Sequence, residues 1–100
     1  MKIGILVNTS QHLQHIVGIS QAASEKGHEI LIFAMDEGTQ LLEDARFTDL
    51  SGLVGVTMSL CRHSAEERAI DIDAVPKDVT RGSQFNNALM SHEADRIIVL

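Results

Sequence analysis

Gly55-Val-Thr-Met-Ser-Leu-Cys61-Arg-His-Ser-Ala-Glu-Glu-Arg-Ala-Ile-Asp71 is the stretch on which the fold turns. Its apolar, β-branched lead-in, Leu53 to Leu60, predicts a strand buried on both faces. Ser64, with Glu67 three residues on, reads as a capping box that opens a helix to about Ile70. Cys61, the only cysteine of the chain, therefore falls at a strand-to-helix junction. Unpaired backbone N–H groups, the fixed cation Arg62 and the titratable His63 lie beside it there, and each favours thiolate over thiol. A cysteine used for packing belongs inside the strand, where Met58 and Leu60 already serve. One at the strand's end stands where binding and reactive groups concentrate.

The same alternation recurs on either side. Lys2 to Val7 is a continuous apolar strand. Asn8-Thr9-Ser10 closes it with turn and N-cap types and opens a helix from about Gln11 to Lys26, with Leu13, Ile16, Val17, Ser20 and Ala23 as its inward stripe. Gly27 ends that helix. Glu29 to Met35 is a second apolar strand, followed by a turn at Asp36-Glu37-Gly38, a short helix from Thr39 to Arg46 and a connection from Phe47 to Gly52. Beyond the cysteine, Asp71 to Gly82 is polar, holds the only proline, Pro76, and predicts at most an edge strand at Ile72 to Val75. Ser83 caps a last helix to about His92, with Phe85, Ala88 and Leu89 as its buried positions, and Arg96 to Leu100 closes the chain as a strand. Strands alternating with helices through right-handed crossovers give an α/β three-layer sandwich. It has an open, mainly parallel sheet of four to five strands with helices on both faces, in one domain spanning residues 1–100. The loops at Asn8 to Ser10, Asp36 to Gly38 and Leu60 to Ser64 then share the carboxyl edge of the sheet, where such folds hold ligands.

Composition removes whole classes of function. The chain of 100 residues carries a formal charge of −6 and three Phe with neither Trp nor Tyr, so it repels a phosphate backbone and lacks stacking platforms. Nucleic acid is not expected as a partner. No run nears the ~18 apolar residues that cross a bilayer, and the opening apolar run is short for a signal peptide. The expectation is a cytoplasmic protein with no membrane partner, where a reducing compartment keeps a lone thiol free.

Most other motifs fail. Neither a dinucleotide nor a P-loop glycine signature is present, and no Cys-x-x-Cys pair supplies a resolving thiol. No cofactor or metal is expected. His12 and His15 lie three apart on a helix without a third ligand at matching spacing; His28 and His92 sit near helix ends. Asp71-Ile72-Asp73 reads as a solvated loop, and Asn8-Thr9-Ser10 as caps rather than an anion site.

The run Cys61-Arg62-His63-Ser64-Ala65-Glu66-Glu67-Arg68-Ala69-Ile70 after an apolar strand resembles the cysteine segment of the DsrE/DsrF-like family of small sulfur-relay proteins, which includes the TusD type. His28-Glu29-Ile30-Leu31-Ile32-Phe33 resembles its second strand, and Gly82-Ser83 through Ala94-Asp95-Arg96-Ile97-Ile98-Val99 its last helix and strand. The resemblance implies a cytoplasmic α/β protein that assembles into trimers or hexamers. It also implies a persulfide carried on Cys61 and exchanged with donor and acceptor proteins. Ala69 departs from the family, which commonly has Gly there.

Three readings of Cys61 follow. It holds and transfers sulfur, with Arg62 stabilising the anion and His63 moving a proton; it is packed and unreactive in a binding or assembly module; or it senses peroxide as a sulfenic acid.

Overall fold

Residues 1–100 are described by a computed structural model. The elements are β1 (Lys2–Val7), α1 (Leu13–Glu25), β2 (Glu29–Ala34), α2 (Ala45–Thr48), β3 (Val56–Cys61), α3 (Arg62–Glu67), β4 (Thr80–Gly82), α4 (Gln84–Glu93) and β5 (Arg96–Val99). Tight 3₁₀ turns occupy Asp36–Glu43, Asp49–Gly52 and Ile72–Ala74. The five strands are parallel and run β4-β3-β2-β1-β5 across the sheet. The expected α/β sandwich is thus the observed one, with five strands.

Strand order and crossover handedness together decide which face each helix covers. Steps from β1 outward to β4 all run in one direction and put their connections on one face; the single return from β4 to β5 runs the other way and puts α4 on the opposite face. Burial follows this division. Ile5, Ile32 and Met58 are in register, as are Val7, Ala34 and Leu60. These side chains pack with Ile16 and Ala23 of α1, Leu41, Leu42, Phe47, Leu50, Ala65, Ile70, Val75 and Val79 into one core. The alternate residues, Leu6, Leu31, Phe33 and Cys61, face α4 and meet only Met90 and Met35 in a much smaller cluster.

Several local expectations are corrected, each for a physical reason. Helix α1 starts at Leu13 with His12 at its cap and no capping side chain, because Thr9 and Ser10 are used elsewhere: the Thr9 hydroxyl donates to the Leu100 carbonyl and the Ser10 hydroxyl to Glu37 Oε1, both at 2.8 Å. The single helix expected over Thr39 to Arg46 is broken at Asp44, whose carboxylate accepts from the Arg46 N–H and starts α2. Phe47, read as part of a connection, is fully buried. The third strand begins at Val56 rather than Leu53, after Gly55 turns with φ +84.

The edge strand lies at Thr80–Gly82, not at Ile72 to Val75. The Arg81 guanidinium donates to the carbonyls of Ile72, Val75, Pro76 and Val79 at 2.5 to 2.7 Å, which winds that segment around one side chain and uses the carbonyls a strand would offer. Helix α4 is rotated from the expected phase: Met90 is its buried residue, whereas Phe85 and Leu89 are 67% and 42% exposed, and Ala88 is exposed as well. The absence of a side chain at Gly4 sets this phase, since a Cβ there would lie 3.0 Å from Met90 Cγ and 3.3 Å from Ala94 Cβ.

At Gly38 and Ala69 the backbone constrains which residue fits. A Cβ on Gly38 would lie 2.1 Å from the Val7 carbonyl oxygen, so the 3₁₀ turn can cross the end of β1 only with glycine there. Ala69 follows α3 at φ +55, the left-handed conformation that glycine adopts freely. Urea unfolding is therefore expected to show Ala69→Gly gaining about 0.5–1 kcal/mol. Gly38→Ala should lose about 1–3 kcal/mol or more, as overpacking against rigid backbone does; equal midpoints for the two variants would contradict both assignments.

Candidate functional site

Cys61 is the last residue of β3 and at once the N-cap of α3, which begins at Arg62. The capping box expected at Ser64 is not formed, because the helix has already started three residues earlier. The cysteine side chain instead occupies the position of the usual capping oxygen, where the backbone N–H groups of the second and third helical residues point. Those residues are His63 and Ser64. With six residues, α3 has little macrodipole to offer, so its effect on the sulfur comes from these two N–H groups.

Below the sulfur lie Phe33 and Met90, with Leu6, Leu31 and Met35 around them; Cys61 is 4% exposed. Burial alone pushes the thiol pKa up, as an apolar surrounding disfavours an anion. Against it act the Ser64 hydroxyl, the Ser64 backbone N–H, the Gln84 side-chain amide and the His63 backbone N–H, and the net direction is below the ordinary value. The aligned side-chain hydrogen bond to sulfur in this cluster runs from Gln84 Nε2 to Met35 Sδ at 3.7 Å. The donors around Cys61 therefore stand as a ready shell for the thiolate, while the resting thiol makes no close bond with them.

Two of the three residues singled out from the sequence are oriented differently from expectation. The His63 imidazole is 80% exposed and pairs through Nε2 with Glu67 one turn on, so His63 reaches the sulfur with its backbone and not with its ring. The Arg62 side chain is exposed and is not among the groups acting on the thiol. The residues that sequence reasoning missed are Ser64, read as a cap but in fact 6% exposed and aimed at sulfur, and Gln84, which arrives from the far side of β4.

Gly82 makes that arrival possible. It pairs with Cys61 in the β3–β4 register, and a Cβ on it would lie 2.0 Å from Asn86 Oδ1. Asn86 Oδ1 accepts from the Ser83 N–H at 3.0 Å and the Ser83 hydroxyl accepts from the Phe85 N–H at 3.2 Å. This capping box starts α4 with Gln84 directly beside the sulfur.

The remaining candidates resolve into local structure. His12 and His15 meet edge to face with ring centroids 6.0 Å apart. Asp71 accepts from the Asp73 N–H at 3.0 Å as the cap of a 3₁₀ turn. Glu37 occupies the donors of Ser10, and the Ser10 hydroxyl and N–H, with Arg68 contributing charge, hold its carboxyl below the usual range against the effect of burial.

Compared with known proteins, no curated protein matches the chain. A family model described as the DsrE/DsrF-like family matches residues 1–100. Solved structures share the fold, among them the following two. The ychN protein from E. coli is 14% identical with a TM-score of 0.71, covering 100% of both chains. MTH1491, a protein of unknown function from Methanobacterium thermoautotrophicum, is 15% identical with a TM-score of 0.70, covering 99% of this chain and 98% of its own. At such identities the likeness speaks to fold alone.

Alkylation by iodoacetamide followed against pH should give a midpoint below that of free cysteine, and Ser64→Ala should raise it. The folded thiol loses its proton at lower pH than the unfolded one, whose value is 9.0. Stability linked to this group therefore rises with pH between the two values and is lost as pH falls through the folded one. Cys61→Ala should flatten that alkaline rise in a series of denaturant midpoints.

Proposed function

The chain belongs to the DsrE/DsrF-like family, and from that premise we propose that it is a sulfur carrier, holding a persulfide on Cys61 and passing it to a partner thiol. The family's association with sulfur relay supports the reading. The observation that carries it is a lone sulfur at a strand end, faced by two helical N–H groups, a serine hydroxyl and an amide.

The chemistry requires no cofactor and no net oxidation. Cys61 thiolate attacks the outer sulfur of a donor persulfide; the donor S–S bond breaks, a new S–S bond forms at Cys61, and the donor leaves as a thiolate. An acceptor thiolate then attacks the same outer sulfur, becomes the persulfide and returns Cys61 as thiolate. The donor shell lowers the charge cost at Cys61 whenever that residue is the anion, which is the resting state before loading and the leaving group after transfer. In this scheme the Arg62 and His63 side chains, which stand in solvent, meet the charged surface of a donor or acceptor protein.

The reading extends to a reducing cytoplasm and to a homo-oligomer, a trimer or hexamer. Apolar side chains left open on the α4 face, Phe85, Leu89, Ile97 and Val99, are in keeping with assembly. One observation favours a second reading, a non-catalytic module with a packed cysteine: the residue is 4% exposed.

Incubation with a small persulfide donor followed by intact mass is expected to show one added sulfur in the wild type and none in Cys61→Ser. A thiol that takes up no sulfur, and alkylates only on unfolding, would establish the packed module instead.

A further inference from the structure

We propose that the side-chain amide of Gln84 is both the cover of the Cys61 sulfur and the group that holds negative charge there, with Asn87 as the positioning residue that keeps it turned the right way. This rests on the reading of Cys61 as a working nucleophile and adds to it the means by which access and charge are controlled.

Gln84 is the first residue of α4, locked by the Ser83 and Asn86 capping box. Its Nε2 lies 3.7 Å from Met35 Sδ, and Met35 packs on the cluster that contains Cys61, Phe33 and Met90. One amide thus contacts the Met35 sulfur and is among the donors that act on the Cys61 thiol beside it. Gln84 itself is exposed while Cys61 is buried, so the residue that carries this amide reaches from solvent to the cluster that holds the thiol.

The orientation of that amide is not free. A thioether sulfur offers no donor and a thiolate only accepts, so Nε2 and not Oε1 faces Met35 and suits the charged form of Cys61. Asn87 Nδ2 donates to Gln84 Oε1 at 3.2 Å and fixes this sense. If the Asn87 amide were turned over, its oxygen would face Gln84 Oε1; if both were turned, Gln84 Oε1 would face the sulfurs. Only one arrangement of the pair avoids opposed acceptors, and it leaves Asn87 Oδ1 buried with no partner. A buried orphan acceptor in a native fold calls for a reason, and holding Gln84 in the donating sense supplies one.

The amide then donates to whichever sulfur at Cys61 carries the charge, and swings outward to admit a donor or acceptor. The test is the pH profile of iodoacetamide alkylation on the intact chain for the wild type, Gln84→Ala, Gln84→Glu and Asn87→Ala. Gln84→Ala should raise the plateau rate severalfold by uncovering the sulfur and move the midpoint up by about one pH unit, the loss of one hydrogen bond to an anion. Gln84→Glu, which keeps the shape and places a carboxylate over the sulfur, should move the midpoint further up. Asn87→Ala should shift it in the same direction by less, without lowering the thermal midpoint, because it also removes the orphan oxygen. A Gln84→Ala midpoint that coincides with wild type overturns the proposal. Sulfur uptake by intact mass separates the two readings: a Gln84-dependent midpoint in a protein that takes up no sulfur defeats the carrier and leaves the amide's hold on the thiol standing, and uptake with an unshifted Gln84→Ala midpoint does the reverse.

Discussion

Cys61 and Gly82 lie side by side in the parallel register of β3 and β4, and the rest of the site depends on that pairing. Gly82 lacks the one atom that would displace the Asn86 carbonyl. With Asn86 in place, Ser83 caps α4, and the helix begins with Gln84 among the groups that act on the sulfur. The pairing is itself slight, a strand of three residues. It is held from the other side by Arg81, whose guanidinium gathers four backbone carbonyls from the loop before it. Two residues with no chemistry of their own, a glycine and a structural arginine, thus set the surroundings of the one cysteine.

At the sulfur, two opposed effects of the same low-dielectric site meet. Enclosure among Phe33, Met90 and their neighbours raises the cost of ionising the thiol. It also strengthens whatever dipoles point at the anion, because water no longer competes for them. Bonds to a charged acceptor are worth about 1.5–3 kcal/mol each, so a few donors outweigh partial enclosure, in line with the downward direction of the thiol. The cap position is what gathers them. A serine or aspartate at that place would spend the same N–H groups on stabilising a helix; a cysteine makes no capping bond with them as a thiol and offers them an acceptor as a thiolate, coupling the helix start to the state of the sulfur.

The strands were legible because apolar runs such as Lys2–Val7 and Glu29–Ala34 are short, rich in β-branched residues and alternate with helical patterns, and because Gly27 and the Ser83 cap mark boundaries in one residue. Cys61 was legible as a strand-end thiol. What could not be read locally was anything decided by pairing or by phase. β4 is a strand only because three residues find β3, while Ile72 to Val75, more apolar, is wound around Arg81. The face of α4 turns on Gly4, far away in sequence, which makes room for Met90. Ser64 and Gln84 were missed for the same cause. Serine before Glu66-Glu67 matches a cap signature that the earlier-starting helix overrides, and a glutamine in a helix's first turn has no local signal tying it to a cysteine more than twenty positions back.

The strand order also bears on how a buried sulfur can be reached. All connections but one lie on the face opposite Cys61, and the large core is there. The thiol's face is covered by α4 alone, anchored by Met90, while Phe85 and Leu89 bury little. Openings that expose few apolar contacts need far less free energy than global unfolding. Moving α4 off the sheet would uncover Met90, Phe33 and Leu31 together; turning Gln84 outward breaks only its contact to the Met35 thioether and its hydrogen bond from Asn87. The lesser motion is the one that leaves the fold, the cap and the charge-holding N–H groups in place, so access to Cys61 is set by a side-chain rotation at the helix's first residue rather than by the helix.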